Sequence, residues 1–230
     1  EPMKTMRRIW NSFKIAFAMY SKIPMPWADW EKENMRYMMC FFPFVGIVIG
    51  ALMVSWSFLS GKLGVGDSLR GVIYVLIPVL VTGGIHLDGL CDVADAVCSH
   101  ADRDRKLQIL KDPRAGAFGV MALACYLLLF YSLAAGADPM QLVCTSIALP
   151  AALAFSRCLS GLAVLRWPKA RPDGMARAMA GEDDNPPRPA VRALAGQAVL
   201  SGVSLVALAP AASGPFAIAA AAAVLALQQL

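Results

Sequence analysis

The sequence predicts an all-α polytopic membrane bundle: about six transmembrane helices, an N-terminal interfacial helix and a surface helix on the cytoplasmic side. Three observations carry that expectation. Of 230 residues, 58% are hydrophobic and only 16% charged, with a mean hydropathy of +0.57, beyond the apolar share of a soluble domain. The apolar residues gather into runs close to the roughly 20 residues that a spanning helix needs. The cations are segregated, since of 21 Lys and Arg, 7 precede the first apolar run, 5 lie within 103–114 and 6 between Arg166 and Arg192.

The elements follow in chain order. Over residues 9–20 and just before them, Lys4, Arg7, Arg8 and Lys14 alternate with Trp10, Phe13 and Phe17, the pattern of an interfacial helix whose cations snorkel toward head groups. The first span is 37–60, where Gly46 and Gly50 have the spacing of a helix-packing pair. The second, 71–87, is short and carries Pro78 and Gly83-Gly84, so a kink or partial insertion is expected. Residues 103–114 read as a mixed-charge surface helix, with Leu107 and Leu110 one turn apart against the membrane. The remaining spans are 118–136, 140–165, 193–211 and 215–230.

Lys62 and Arg70 fall in the loop between the first two spans, the loops at 137–138 and 212–214 carry no Lys or Arg, and Arg157 is left inside a span. Six spans arranged as three hairpins put all three basic regions on one side, which the positive-inside rule makes cytoplasmic. No internal repeat is visible, so residues 1–230 read as one membrane-embedded domain. The six cysteines lack paired spacing and fit small buried hydrophobes of a reducing compartment. Cys91 and Cys98, with His86 and His100 nearby, match no usual zinc pattern.

Chemistry is concentrated where the second apolar run ends. Asp88, Asp92 and Asp95 are spaced i, i+4, i+7 and share one face of a helix at about 100° per residue. Three converging carboxylates repel unless a cation sits among them, and all-oxygen donors suit a hard ion, Mg²⁺ before Mn²⁺ or Ca²⁺. Arg103, Arg105, Lys106, Lys111 and Arg114 follow closely. Acids beside clustered cations are the parts of a phosphoryl-transfer site, with a metal bridging phosphate oxygens and cations taking up charge on the leaving group. Gly116 and Gly119 allow close approach of a ligand or another helix. Arg157, an arginine inside a span on the side of the carboxylates, reads as a phosphate or carboxylate partner. His86 points nearly opposite Asp88 on an unbroken helix and is as much a packing residue as a ligand.

The run Gly83-Gly84-Ile85-His86-Leu87-Asp88-Gly89-Leu90-Cys91-Asp92-Val93-Ala94-Asp95, then Arg103-Asp104-Arg105 and Lys111-Asp112-Pro113-Arg114-Ala115-Gly116-Ala117-Phe118-Gly119, resembles the signature of the cobalamin synthases. These are the adenosylcobinamide-GDP ribazoletransferases, polytopic enzymes of the bacterial inner membrane. The likeness extends over most of 16–180: Tyr20-Ser21-Lys22-Ile23-Pro24-Met25-Pro26, Phe42-Pro43-Phe44-Val45-Gly46, Ser156-Arg157 and Arg171-Pro172-Asp173-Gly174. There are departures. Pro113 stands where the family usually has Ser, and Cys98-Ser99-His100 replaces a more Gly-rich turn. Relatives are expected to continue past the last helix into a Gly-Asp-rich segment and another apolar stretch, so a truncated or shortened chain is expected here.

The resemblance implies Mg²⁺-dependent joining of GDP-activated adenosylcobinamide to α-ribazole or its 5′-phosphate, with release of GMP. It implies Asp88, Asp92 and Asp95 as metal ligands, or Asp95, as the outermost, as acceptor of the ribose hydroxyl proton. It implies Arg103, Lys111, Arg114 and Arg157 as phosphate-stabilising groups. Asp104 and Asp112 then hold those cations or bind a second metal, and His86 joins them as a weaker ligand. The implied partners are the corrinoid nucleotide, the ribazole and the lipid bilayer, without nucleic acid; a homo-oligomer is left open. Two other readings remain. A phosphotransferase moving a nucleotide-activated alcohol onto a lipid uses similar acids, whereas a divalent-cation transporter needs its acids nearer mid-membrane and no basic loop beside them.

Overall fold

The computed structural model describes residues 2–137, 139–168 and 187–208. Among them every regular element is helical: α1 (Pro2–Tyr20), α2 (Lys32–Met35), a 3₁₀ turn (Met38–Phe41), α3 (Phe42–Lys62), α4 (Asp67–Thr82), α5 (Ile85–Cys98), α6 (Arg103–Ile109), α7 (Ala117–Gly136), α8 (Pro139–Arg166) and α9 (Arg188–Leu208). Four windows are long and apolar enough to cross a membrane, and a fifth arises if α4 and α5 are taken as one broken span. The chain is therefore a polytopic helical membrane protein. The expected sixth span, 215–230, lies outside the described residues, as does the segment Arg171-Pro172-Asp173-Gly174. The last described span begins at Arg188, a turn before the expected 193.

Glycines set how the bundle closes. Lipid removes most of the hydrophobic drive between helices, so close van der Waals approach through small residues must supply it. A Cβ at Gly46 would stand 2.7 Å from the Leu153 carbonyl oxygen, and one at Gly50 would stand 2.5 Å from Pro150 Cα. Thus α3 and α8 run antiparallel with backbones in contact. Gly71 meets Ala135 in the same way, pairing the start of α4 with the end of α7, and Gly202 faces Phe155 while Gly161 faces Leu194, pairing α8 with α9. Val45, Ile49, Met53, Tyr74, Leu149 and Leu153 form the core between these helices.

The near end of the bundle collects α1, the 3₁₀ turn, α5, α6 and the ends of α8 and α9, tied by Gln197 Nε2 donating to the Cys40 carbonyl at 3.1 Å. At the far end Arg70, only 2% exposed, donates to the Ala137 carbonyl at 2.8 Å and pairs with Asp67 at 2.9 Å. This corrects its reading as a loop cation. Arg70 lies inside α4 and fastens α4 to the end of α7.

Helix α1 carries exposed Met6, Ile9 and Trp10, and the arm after it exposes Trp27 and Trp30, as interfacial anchors do. Its other face is core, with Ile15 and Ala16 fully buried. Lys14 does not snorkel outward. It is buried, and its Nζ donates to the Trp27 carbonyl at 2.7 Å. Ser12 donates to the Asn34 carbonyl at 2.6 Å, so the arm is folded back onto the helix.

The expected kink is a sharp break, with α4 and α5 meeting at 91°. Gly83 and Gly84 have φ of 65° and 79°, a left-handed region that glycine enters without a Cβ penalty. The Gly84 amide reaches the Val79 carbonyl at 3.1 Å, and the Lys22 amide takes the Val81 carbonyl at 2.7 Å. Backbone groups freed at a break inside a membrane need such partners, and here the arm supplies one. A Cβ at Gly83 would collide with the Lys22 side chain.

Candidate active site

Helix α5 carries the three carboxylates on one face, and each has a different setting. Asp88 is exposed, while Asp92 and Asp95 are half-buried. Asp88 and Asp95 both act electrostatically on Asp92, as expected for like charges on adjacent turns. Among the described residues no three His, Cys, Asp or Glu side chains are gathered closely enough to hold a metal ion by themselves.

Asp95 is engaged by its neighbour. Its Oδ2 accepts from the Gly116 amide at 2.7 Å and its Oδ1 from the Gly119 amide at 2.9 Å. Gly116 is the N-cap position of α7, whose first amides have no partner within their own helix and favour an anion. Both glycines are required there: a Cβ on Gly116 would strike the Asp95 carboxylate, and one on Gly119 would stand 2.8 Å from the Cys91 carbonyl. Of the two readings of this glycine pair, close approach to a helix is the one seen. Asp95, read from the sequence as a metal ligand or as the outermost carboxylate that accepts the ribose proton, has both its oxygens engaged in fastening α5 to α7.

The turn after α5 places His100 at φ of 50°, a conformation that glycine adopts more readily. It falls where the family resemblance leads one to expect a Gly-rich turn. Asp102 then caps α6 by accepting from the Arg105 amide at 2.8 Å, a capping role not singled out from the sequence although Asp at this position is a common start signal. Arg103 and Asp104 are exposed on α6, and Arg105 donates to Gln108 at 2.9 Å. Lys111 is exposed beyond the helix. Arg114 grips Asp112 through Nε at 3.0 Å and Nη2 at 2.9 Å. Those donated bonds, with the Arg114 charge, hold the Asp112 carboxyl below its usual range.

The opposite face of α5 looks into a cavity of about 410 Å³. His86 and Arg157 line it together with Tyr20, Phe42, Tyr126 and Ser160, and no carboxylate does. Phe42 organises the wall: the His86 ring stacks on it at 6.0 Å and 8°, the Tyr20 ring lies 4.2 Å away, and the Arg157 guanidinium sits 5.7 Å from its centroid. Arg157 is 3% exposed and donates from Nη1 to the Leu153 carbonyl at 3.2 Å. Arg157, read from the sequence as a phosphate or carboxylate partner, faces this cavity and not the carboxylate row. His86 does point away from Asp88. The aromatic residues of this wall were missed in the sequence, where Phe42 stood out only as part of a family-like segment.

A bundle of spanning helices with a one-sided carboxylate row, a basic surface helix beside it and an apolar cavity behind it defines a membrane-embedded protein with its polar chemistry at one end. The chain belongs to the cobalamin-5-phosphate synthase family, whose model matches residues 12–230. It is 41% identical over 165 residues to a protein of Lachnoclostridium phytofermentans named adenosylcobinamide-GDP ribazoletransferase, covering 72% of this chain and 62% of that one. Relatives of the same name from Clostridium perfringens (strain ATCC 13124) and Geobacillus thermodenitrificans are each 35% identical, over 127 and 124 residues. Those matches cover 55% and 53% of this chain and 51% and 47% of the relatives. The chain thus spans about half to three-fifths of the length of the curated relatives it matches. No solved structure matches it.

Proposed function

We propose that the chain catalyses joining of GDP-activated adenosylcobinamide to α-ribazole or α-ribazole 5′-phosphate, with release of GMP. The observation that carries this is a pair of carboxylates one turn apart, exposed Asp88 and half-buried Asp92, on the helix that leads into basic α6, while Asp95 is occupied by α7. The names of the relatives support the donor and the acceptor.

Mg²⁺ fits this donor set. It characteristically takes one or two carboxylates and completes its shell with water and substrate phosphates, so a protein cage of three ligands is not needed. Bound there, it supplies Lewis-acid polarisation of the pyrophosphate and neutralises its charge. Asp88 and Asp92 are its holders. Arg103, Lys111 and Arg114 meet the phosphates from the surface helix and the loop after it. Asp112 keeps the Arg114 fork in a fixed orientation, while Asp104 lies exposed beside Arg103 and Arg105. Asp95 fixes the angle of α5 against α7 and thereby the aim of the other two carboxylates. In the reaction the acceptor oxygen bonds to the phosphorus carrying the adenosylcobinamide, the bond from that phosphorus to the bridging oxygen breaks, GMP departs with that oxygen, and the hydroxyl proton passes to water.

The basic segments orient the near end toward the cytoplasm, as expected of a multi-pass protein of the bacterial inner membrane. The test is incubation of the protein in lipid with adenosylcobinamide-GDP, α-ribazole and Mg²⁺, comparing wild type with Asp92→Ala. GMP release should fall by about 100-fold or more, the scale on which loss of a preorganised charge-stabilising group acts. Equal release from both would overturn the carboxylate assignment. Release of CMP from a CDP-alcohol, with none of GMP, would transfer the chain to the lipid-type phosphotransferases.

A further inference from the structure

The cavity behind α5 is not explained by packing. Its walls hold two buried polar atoms, His86 Nδ1 and Arg157 Nε, that find no hydrogen-bond partner. Among the described residues no carboxylate pairs with Arg157, although an unpaired guanidinium buried to this degree is costly. The Tyr20 and His86 rings and the Arg157 guanidinium converge on Phe42, an arrangement suited to stacking against a flat aromatic guest.

Size and polarity narrow the guest. Pockets of about 300–1,000 Å³ hold ligands of drug size, so about 410 Å³ has room for a riboside and is too small to enclose a corrinoid. Most lining residues are apolar, among them Val75, Val79, Leu90, Val93, Leu153 and Val164. A guanine base, with donors and acceptors around its edge, would be left under-satisfied against such a wall, whereas an apolar bicyclic base would not.

One residue links this cavity to the carboxylates. Gly89 lies on α5 between the His86 face and the Asp92 face, lines the cavity, and has nothing within 4 Å of where its Cβ would be. A mid-helix glycine costs about 1 kcal/mol relative to alanine, and no close contact requires this one. Its missing side chain leaves the helix surface open between cavity and carboxylate row.

We propose that this cavity seats the aromatic base of the acceptor nucleoside, with its ribose passing over Gly89 toward Asp92. The assignment rests on the ribazole-transfer reading and deepens it. Arg157 and His86 provide the polar contacts to the base.

The test is equilibrium binding of α-ribazole to the protein in nanodiscs, without donor, for wild type, Gly89→Leu, Ser160→Phe and Asp92→Ala. The first two variants fill the cavity from opposite walls. Each should weaken binding by about tenfold or more, while Asp92→Ala binds as wild type does and loses only GMP release. A thermal melt checks folding, and Gly89→Ala serves as a second, helix-favouring variant, expected to raise the acceptor KM with the donor KM unchanged. Unchanged binding in both cavity-filling variants, with GMP release intact in wild type, would overturn the cavity assignment and leave the transfer reading standing. A cavity that retains phospholipid by mass spectrometry and shows no ribazole binding would also overturn it. Ribazole binding that the fillers abolish, in a protein that never releases GMP, would keep the site and remove the reaction.

Discussion

The three aspartates look equivalent in the sequence and are not equivalent in the fold. Helical spacing legibly puts Asp88, Asp92 and Asp95 on one face, but it cannot say that a neighbouring helix begins against the last of them. Asp95→Asn keeps one acceptor for two amides, so a donor at the start of α7 is left unmatched. The expected loss is about 1–3 kcal/mol, read as a lower melting temperature in nanodiscs; a melt indistinguishable from wild type would show that the two amide bonds carry no weight. His100 is the converse case. At φ of 50° it carries backbone strain that glycine would relieve, so His100→Gly should stabilise by up to about 1 kcal/mol, and any decrease in melting temperature would contradict the strain. Lys14 and Arg157 raise the same question. A cation among apolar residues is legible as one that needs a partner, but not which one: Lys14 finds the Trp27 carbonyl of the folded-back arm, and Arg157 the Leu153 carbonyl one turn earlier on its own helix.

At the level of elements, apolar runs located the described spans to within a few residues. The break between α4 and α5 was legible because Gly83-Gly84 is a chemical signal, not a periodic one. Its angle was not, since that depends on Lys22 occupying the Val81 carbonyl, a contact between segments some sixty residues apart. The Gly46 and Gly50 pair declares a tight interface without naming the partner helix. Gly50→Ala places a methyl against the Pro150 backbone, and α3 and α8 must separate to admit it. About 1–3 kcal/mol of stability should be lost, and Gly64→Ser, at a position with open space around it, provides a turn control in which only the φ of 62° is penalised. Equal melting of Gly50→Ala and wild type would mean that the two helices are not in backbone contact. What lies on either side of α5 was not legible, because hydrophobicity marks the cavity wall and the lipid-facing surfaces of α7 and α9 alike.

For the molecule as a whole, antiparallel contacts of α3 with α8, α4 with α7 and α8 with α9 put the carboxylate row at one end and the Arg70 fastening at the other. Cysteine labelling checks this. In a background with the native cysteines replaced, Gln108→Cys should react with a membrane-impermeant maleimide only in inverted vesicles, and Ser68→Cys only in right-side-out ones. Reaction of both from the same side would break the hairpin arrangement.

The right-angle turn at Gly83-Gly84 also decides how the carboxylate row is laid out. The 91° bend turns α5, 14 residues and about 21 Å long, across the direction of α4 and of the α7 helix that packs beside it. Its carboxylates are therefore strung out across the axis of α4, like a rail laid over the end of that helix instead of a ladder continuing along it.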